Sequence, residues 1–186
     1  SLHEDLARRD FTMNAMAWRP TREGPEGGEL VDPFDGQADL GHRVVRAVGD
    51  PSERFGEDAL RMLRAVRFAT TLRMDLESAT AAAIGEHAGL AAGLSGERIG
   101  QELSKILAAE RPSVGIRLLS DLGLLAVLCP ELEICKTIPQ DKAVAQDVFE
   151  HSLITVAATP VDAPPVLRPP ALFPAVGKPG PSPHGH

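Results

Sequence analysis

The chain has 186 residues, enough for one or two domains with a sizeable core, and its 43% hydrophobic and 24% charged content is that of an ordinary globular protein. A net charge of −7 excludes a general basic coat that would hold any nucleic acid or an anionic membrane, and six Phe, one Trp and no Tyr argue against base binding by serial stacking. No apolar run reaches the roughly 18 residues of a membrane helix and Ser1 to Asp10 is charged rather than signal-like, so the expected location is the cytoplasm.

In chain order, residues 3–10 (HEDLARRD) predict a short charged helix or turn, and Phe11 to Trp18 a strand. Pro20 to Gly28 reads as a loop, because Gly and Pro punctuate it without any period. Leu30-Val31 starts a second short strand, DGQADL gives a turn and a helix, and Val44 to Val48 a third strand. From Asp50 the pattern is helical: Pro51 suits a first helical position, and Glu57 to Thr71 carries Leu60, Leu63, Val66, Phe68 and Ala69 at helical spacings. Further helices are expected at Leu76 to Ala88, Ser95 to Glu110, Pro112 to Leu122 and Asp147 to Ala158. Strands first and helices afterwards make the fold class α+β, the edge of a mixed sheet followed by an all-helical body. Cys129 and Cys135 form no metal-binding motif and read as buried free thiols, and no zinc site is expected.

Two clusters carry chemistry. In Glu57-Asp58-Ala59-Leu60-Arg61-Met62-Leu63-Arg64-Ala65-Val66-Arg67, a continuous helix sets Asp58 beside Arg61 as a fork, with Arg64 and Arg67 extending the stripe. The same spacing also describes a solvated face with an ion pair worth a few tenths of a kcal/mol. A carboxylate only accepts hydrogen bonds and a guanidinium only donates them. Side by side they match an edge that offers an amino group next to a ring-nitrogen acceptor, which adenine and cytosine present. Guanine and uracil present the reverse, a carbonyl next to an N–H. Each good bidentate pair discriminates by about 1–3 kcal/mol. The second cluster is Arg8-Arg9-Asp10-Phe11-Thr12-Met13-Asn14: Arg9 suits phosphate oxygens, Asp10 ribose hydroxyls, and Asn14 either. An exposed charged turn is the alternative.

The ordered segments ARRDFTMNAMA (7–17), LVDPFDGQADL (30–40) with RVVRAVGDP (43–51), EDALRMLRAVRFA (57–69) and ERIGQELSKIL (97–107) resemble the bacterial tRNA nucleotidyltransferase (CCA-adding enzyme) and poly(A) polymerase family. The resemblance implies that Arg9, Asp10 and Asn14 contact the triphosphate and ribose of an incoming nucleotide. It implies that Asp58 and Arg61 pair with CTP or ATP, and that Arg64 and Arg67 lie on the phosphates. Glu57, Glu97 and Arg98 would then brace the selecting helix without touching nucleotide. It further implies tRNA as partner, ATP and CTP as substrates, and Mg²⁺ bound by a D-x-D pair that follows a GGxVRD loop. Neither motif occurs in these 186 residues, so the chain is expected to begin after them, to hold no metal and to lack catalysis alone. The domains implied are residues 1–50, the end of a nucleotidyltransferase head; 51–145, a nucleotide-selecting and RNA-binding body; and 146–186, a degenerate HD-like segment with a Pro-rich tail. Pro174-Ala175 replaces the His-Asp pair that an HD phosphohydrolase needs, so no hydrolase activity is expected. A poly(A) polymerase and a non-catalytic helical module that binds tRNA or other RNA remain as alternatives.

Overall fold

The computed structural model describes residues 1–134 except 22 and 23, together with 136 and 153–155. Helix α1 (Leu2–Ala7) opens with a capping box: Ser1 Oγ accepts from the Glu4 N–H, and the Glu4 carboxylate reaches back to the Ser1 nitrogen. The chain then extends at Phe11, which bridges antiparallel to Ala47, and makes one 3₁₀ turn at Thr12–Asn14. Strands β1 (Ala17–Thr21) and β2 (Gly24–Val31) form an antiparallel hairpin in which Trp18 faces Leu30 and Pro20 faces Gly28.

Two expectations change here. The strand expected from Phe11 to Trp18 is interrupted, because Thr12 turns inward to donate its hydroxyl to the buried Asp39 carboxylate at 2.7 Å. The segment expected as a loop is largely hairpin, because a ladder of main-chain bonds tolerates Gly and Pro on an edge pair. At Gly28 a Cβ would lie 2.5 Å from the exposed Trp18 ring, so a side chain there would displace the indole.

Helix α2 (Gly36–His42) starts where the Asp32 carboxylate accepts from the Gly36 and Gln37 N–H groups, each at 2.8 Å. Strand β3 (Val44–Val45) pairs in parallel with β4 (Asp75–Leu76). The third strand is therefore shorter than expected: past Val45 the chain bonds back to the entry turn, through Thr12 N–H to Arg46 O and Val48 N–H to Asp10 O. The described strands make two separate two-stranded sheets, and α+β is the observed class with helices dominant.

Helix α3 (Pro51–Glu57) is capped by Asp50 and has Pro51 in its first turn; α4 (Leu60–Leu72) follows after a break at Asp58-Ala59. Helices α5 (Ser78–His87), α6 (Gly96–Ala108), α7 (Pro112–Asp121), α8 (Leu124–Leu128) and α9 (Pro130–Ile134) complete the described body, the first three close to the expected bounds. Helix α4 is central. It turns Met62, Leu63, Ala65, Val66 and Ala69 into the core, against Ile84, Ile106, Leu119 and Leu124. At Gly115 of α7 a Cβ would sit 2.5 Å from Ile106 Cγ2 and 2.7 Å from Thr70 Oγ1, so the closeness of α7 to α4 and α6 depends on glycine. Cys129 is half-buried, with its Sγ 3.8 Å from Glu131 Oε2, whereas Cys135 lies outside the described residues. Among those residues no helix is long and apolar enough to cross a membrane. The HD-like and Pro-rich readings of 146–186 fall outside them too, save for residues 153–155, which are helical and bury Leu153.

Candidate functional site

A cavity of about 660 Å³ opens between the turn after α1, the α3–α4 junction and the start of α6. Its size suits a nucleotide. Arg8, Arg9, Asp10 and Asn14 line one wall, Asp58, Leu60, Arg61, Arg64 and Phe68 another, and Arg98 comes from α6. The fold thus brings together both clusters singled out from the sequence, although about fifty residues separate them in the chain.

The fork has a different construction from the one expected. Asp58 has extended backbone (φ −151°, ψ 103°) and ends α3 rather than lying on α4. Its Oδ1 accepts from the Leu60 N–H at 3.1 Å, the first N–H of α4, so the side chain stands where a helix begins. Arg98 Nη2 approaches both carboxylate oxygens, at 3.1 and 2.9 Å. Arg61 is held elsewhere: Nη1 donates to Glu57 Oε2 at 2.6 Å and to Arg54 O at 3.1 Å, and Nη2 to Arg8 O at 3.2 Å. Asp58 and Arg61 therefore share the cavity, joined through the main chain, where the Arg61 N–H donates to Asp58 O at 3.0 Å, and not through their side chains. Glu57, which also pairs with Arg54 at 2.9 Å, fixes the Arg61 guanidinium.

On the facing wall Asp10 is nearly enclosed. Its Oδ1 accepts from the Phe11 N–H at 2.9 Å and Asn14 Nδ2 at 3.0 Å, and its Oδ2 from Arg64 Nε and Nη2 at 2.8 and 2.5 Å. Burial pushes the Asp10 carboxyl up, but the bonds from Asn14 and Arg64, the Arg64 charge and the Phe11 N–H outweigh it, and the group stays below its ordinary value. Arg64 also stands 5.5 Å from the Phe68 ring centroid. Arg9 is exposed and paired with Asp5 at 3.1 Å.

Three further site residues are placed differently from the expectation. Arg67 does not line the cavity: it stacks over Phe68 at 3.8 Å and pairs with Glu102 at 2.6 Å. One turn of α4 beyond Arg64 carries it around to α6. Glu97 is exposed and, among the described residues, accepts only from Gln101 at 3.4 Å, with no bond to α4. Arg98, expected to brace without reaching the site, is part of its lining. The brace is Glu102, 3% exposed, which holds both Arg67 and Lys105. Its signal was present in the sequence: Ile99, Leu103 and Ile106 mark the inward face of α6, and Glu102 falls on it, where an acid needs a cation. Arg8 was also missed as a site residue, because it acts on Arg61 through its main-chain carbonyl.

Among the described residues no group of three or more His, Cys, Asp or Glu is arranged to hold a metal ion. The two cavity carboxylates are committed to Arg64 and Arg98. These residues do not fit a magnesium site.

Two short sheets lead into a helical body, with an arginine-rich cavity at the junction, and this order of elements is shared with known proteins. Residues 1–46 match the poly A polymerase head domain, and residues 73–135 match the probable RNA and SrmB binding site of polymerase A. The chain belongs to the tRNA nucleotidyltransferase and poly(A) polymerase family. It is 50% identical over 131 residues to the CCA-adding enzyme of Levilactobacillus brevis, which covers 70% of this chain and 31% of that protein. A solved Bacillus stearothermophilus CCA-adding enzyme in complex with CTP is 38% identical, with a TM-score of 0.66 over 85% of this chain and 35% of that one. The Thermotoga maritima CCA-adding enzyme complexed with tRNA is 29% identical, also with a TM-score of 0.66, over 83% and 34%. The chain thus spans about a third of the length of these relatives.

Proposed function

We propose that this chain is the nucleotide-selecting part of a CCA-adding nucleotidyltransferase, which extends the 3′ end of tRNA with CMP and AMP from CTP and ATP. The observation that carries the reading is the convergence of Asp58 and Arg61 with Arg9, Asn14 and Arg64 on one cavity. Asp58 and Arg61 read the base. Three acceptor positions on Asp58 are in use, which leaves one on Oδ2 for an exocyclic amine, and Arg61 keeps its Nε–H and one Nη2 proton for a ring nitrogen. Arg9 and Arg64 take the phosphates, and Glu57 holds Arg61 in place. Residues 1–50 act as the end of the head, and 51–145 as the body that selects nucleotide and meets tRNA. No D-x-D occurs in these 186 residues, and the chain alone is inactive. The working location is the cytoplasm.

The test is equilibrium binding of CTP, ATP, GTP and UTP to the chain by calorimetry. CTP and ATP should bind at least about fivefold tighter than GTP and UTP, the low end for one bidentate pair. Equal affinities overturn the reading and favour a non-catalytic RNA-binding module, whose mark would be steep loss of tRNA binding with salt. Incorporation of CMP by the chain with Mg²⁺ overturns the inactivity of the chain alone. Because both matched family models are named for polymerase A, poly(A) synthesis stays as the second reading. A full-length form given tRNA trimmed of its end decides it: CMP before AMP supports CCA addition, and AMP alone supports poly(A) synthesis.

A further inference from the structure

Helix α1 ends on main-chain carbonyls that lie past the reach of its own ladder. Two of them are taken by arginines 47 and 53 positions away in the chain: Arg54 Nη1 donates to Ala7 O at 3.3 Å, and Arg61 Nη2 to Arg8 O at 3.2 Å. Glu57 spans the two guanidinium groups, with Oε1 2.9 Å from Arg54 Nη2 and Oε2 2.6 Å from Arg61 Nη1. Arg61 Nη1 also donates to Arg54 O at 3.1 Å. Arg61 is thus tied to Arg54 twice, once directly by the Arg54 main chain and once through the Glu57 carboxylate. Glu57 is 49% exposed and is the last residue of α3, so its bond to Arg61 alone leaves rotamer freedom to be suppressed. The buried member supplies that restraint, because Arg54 is 17% exposed and anchored on Ala7. Its Nε–H is buried without a partner among the described residues, so this guanidinium sits where Ala7 and Glu57 hold it and not where its own donors would all be satisfied. Neither Arg54 nor Glu57 lines the cavity.

We infer that Arg54 is a positioning residue for base selection: it holds Glu57 in place, Glu57 holds the Arg61 guanidinium toward the base, and Arg54 itself touches no nucleotide. This rests on the base-reading role proposed above for Arg61, and one arm of the test is independent of that role. Ordering Arg61 in advance lowers the cost of binding a base that matches it and does nothing for a base that does not. Arg54 therefore acts on the preference between bases and leaves the grip on phosphate to Arg9 and Arg64.

The experiment compares the chain with Arg54→Gln, Arg54→Lys, Arg61→Ala and the double variant Arg54→Gln with Arg61→Ala. Calorimetry measures the affinity of each for CTP, for UTP and for inorganic tripolyphosphate. Positioning predicts that the preference for CTP over UTP falls about three- to tenfold in Arg54→Gln, the ordering cost of one long side chain, while tripolyphosphate binding stays within about twofold. The double variant should bind CTP within about twofold of Arg61→Ala, since Arg54 acts only through Arg61. Without ligand, the Nη signals of Arg61 should be resolved in the parent, as hindered rotation of a bonded guanidinium requires, and averaged in Arg54→Gln with the backbone amide spectrum retained. An equal loss for all three ligands makes Arg54 a structural residue, and an unchanged CTP preference makes it irrelevant to selection; either overturns the inference. Averaged Arg61 signals in the parent, or resolved ones in Arg54→Gln, overturn it too. Where the parent shows no preference between bases, the functional reading fails, and the Arg61 signals still decide whether Arg54 fixes Arg61. Should Arg54→Gln not fold, Arg54→Lys serves instead, because an ammonium lacks the planar fork that reaches Ala7 O and Glu57 together. A CTP preference at least about twofold below the parent, with tripolyphosphate binding kept, supports positioning, and a preference equal to the parent overturns it.

Discussion

The Asp58 carboxylate pairs with Arg98 at 2.9 Å, across the gap between α4 and α6 and forty positions along the chain, and not with Arg61 three residues on. Asp58 is therefore supported by one element and Arg61 by another. The proposed base-reading pair is assembled by tertiary structure from the end of α3, the start of α4 and the carbonyl of Arg8.

This sets the expected behaviour of three variants in nucleotide competition. Asp58→Ala and Arg61→Ala each remove one member of the bidentate match, and discrimination against GTP and UTP should fall by about 1–3 kcal/mol. Arg98→Ala breaks only a partly exposed ion pair, worth at most about 1 kcal/mol, so overall affinity should shift a few-fold while the preference order is kept. A loss of base preference in Arg98→Ala equal to that in Asp58→Ala would falsify the division of labour.

Glu102 and Arg67 should report on stability rather than on nucleotide. Glu102 is buried at 3% and carries the charges of Arg67 and Lys105. Glu102→Ala leaves Arg67 unpaired in a largely apolar setting and should cost about 3–5 kcal/mol. Thermal unfolding would show this as a midpoint lower by about 10 °C. Arg67→Ala should also destabilise, yet CTP affinity measured well below its melting point should stay near that of the parent. A large selective loss of CTP binding would return Arg67 to the phosphates.

Asp10 gives a pH signature with a definite sign. Its carboxyl is held below the ordinary 3.8 in the folded protein, so its bonds to Arg64 and Asn14 stabilise the fold fully above that value and are lost as pH falls through the lowered one. Denaturant midpoints recorded between about pH 2 and pH 6 should therefore drop on the acid side. Asp10→Asn should be less stable near neutrality and should show a shallower acid limb. Parallel curves for parent and variant would mean that Asp10 contributes nothing to that limb.

Two glycines make a matched pair of opposite sign. Gly115→Ala places a Cβ 2.5 Å from Ile106 Cγ2 and should cost about 1–3 kcal/mol through overpacking where α7 meets α4 and α6. Gly100, inside α6, has nothing within 4 Å of such a Cβ, so Gly100→Ala should stabilise by about 0.4–1 kcal/mol through helix propensity and reduced unfolded-chain entropy. Chemical denaturation of the two variants side by side reads both effects.

Much of the helical body was legible along the chain, because amphipathic spacing and Pro or Ser starts are local signals, as at Ser95 and Pro112. The strands were less so. Thr12 leaves the strand pattern for a bond to Asp39, twenty-seven residues away, and Pro20 with Gly28 pair in a hairpin although their types signal a loop. What the sequence by itself determined was the chemistry of six of the cavity's lining residues: Arg9, Asp10, Asn14, Asp58, Arg61 and Arg64 are fixed by type, and their donor and acceptor groups restrict what they can bind. What only the tertiary structure decided was who holds whom. Arg67 went to Glu102 and Arg98 to Asp58, while Arg64 took the last acceptor positions on Asp10. The physical reason is that a hydrogen bond is made within about 3 Å between groups that spacing along a helix cannot bring together, and each bond made uses up capacity that a ligand would otherwise find.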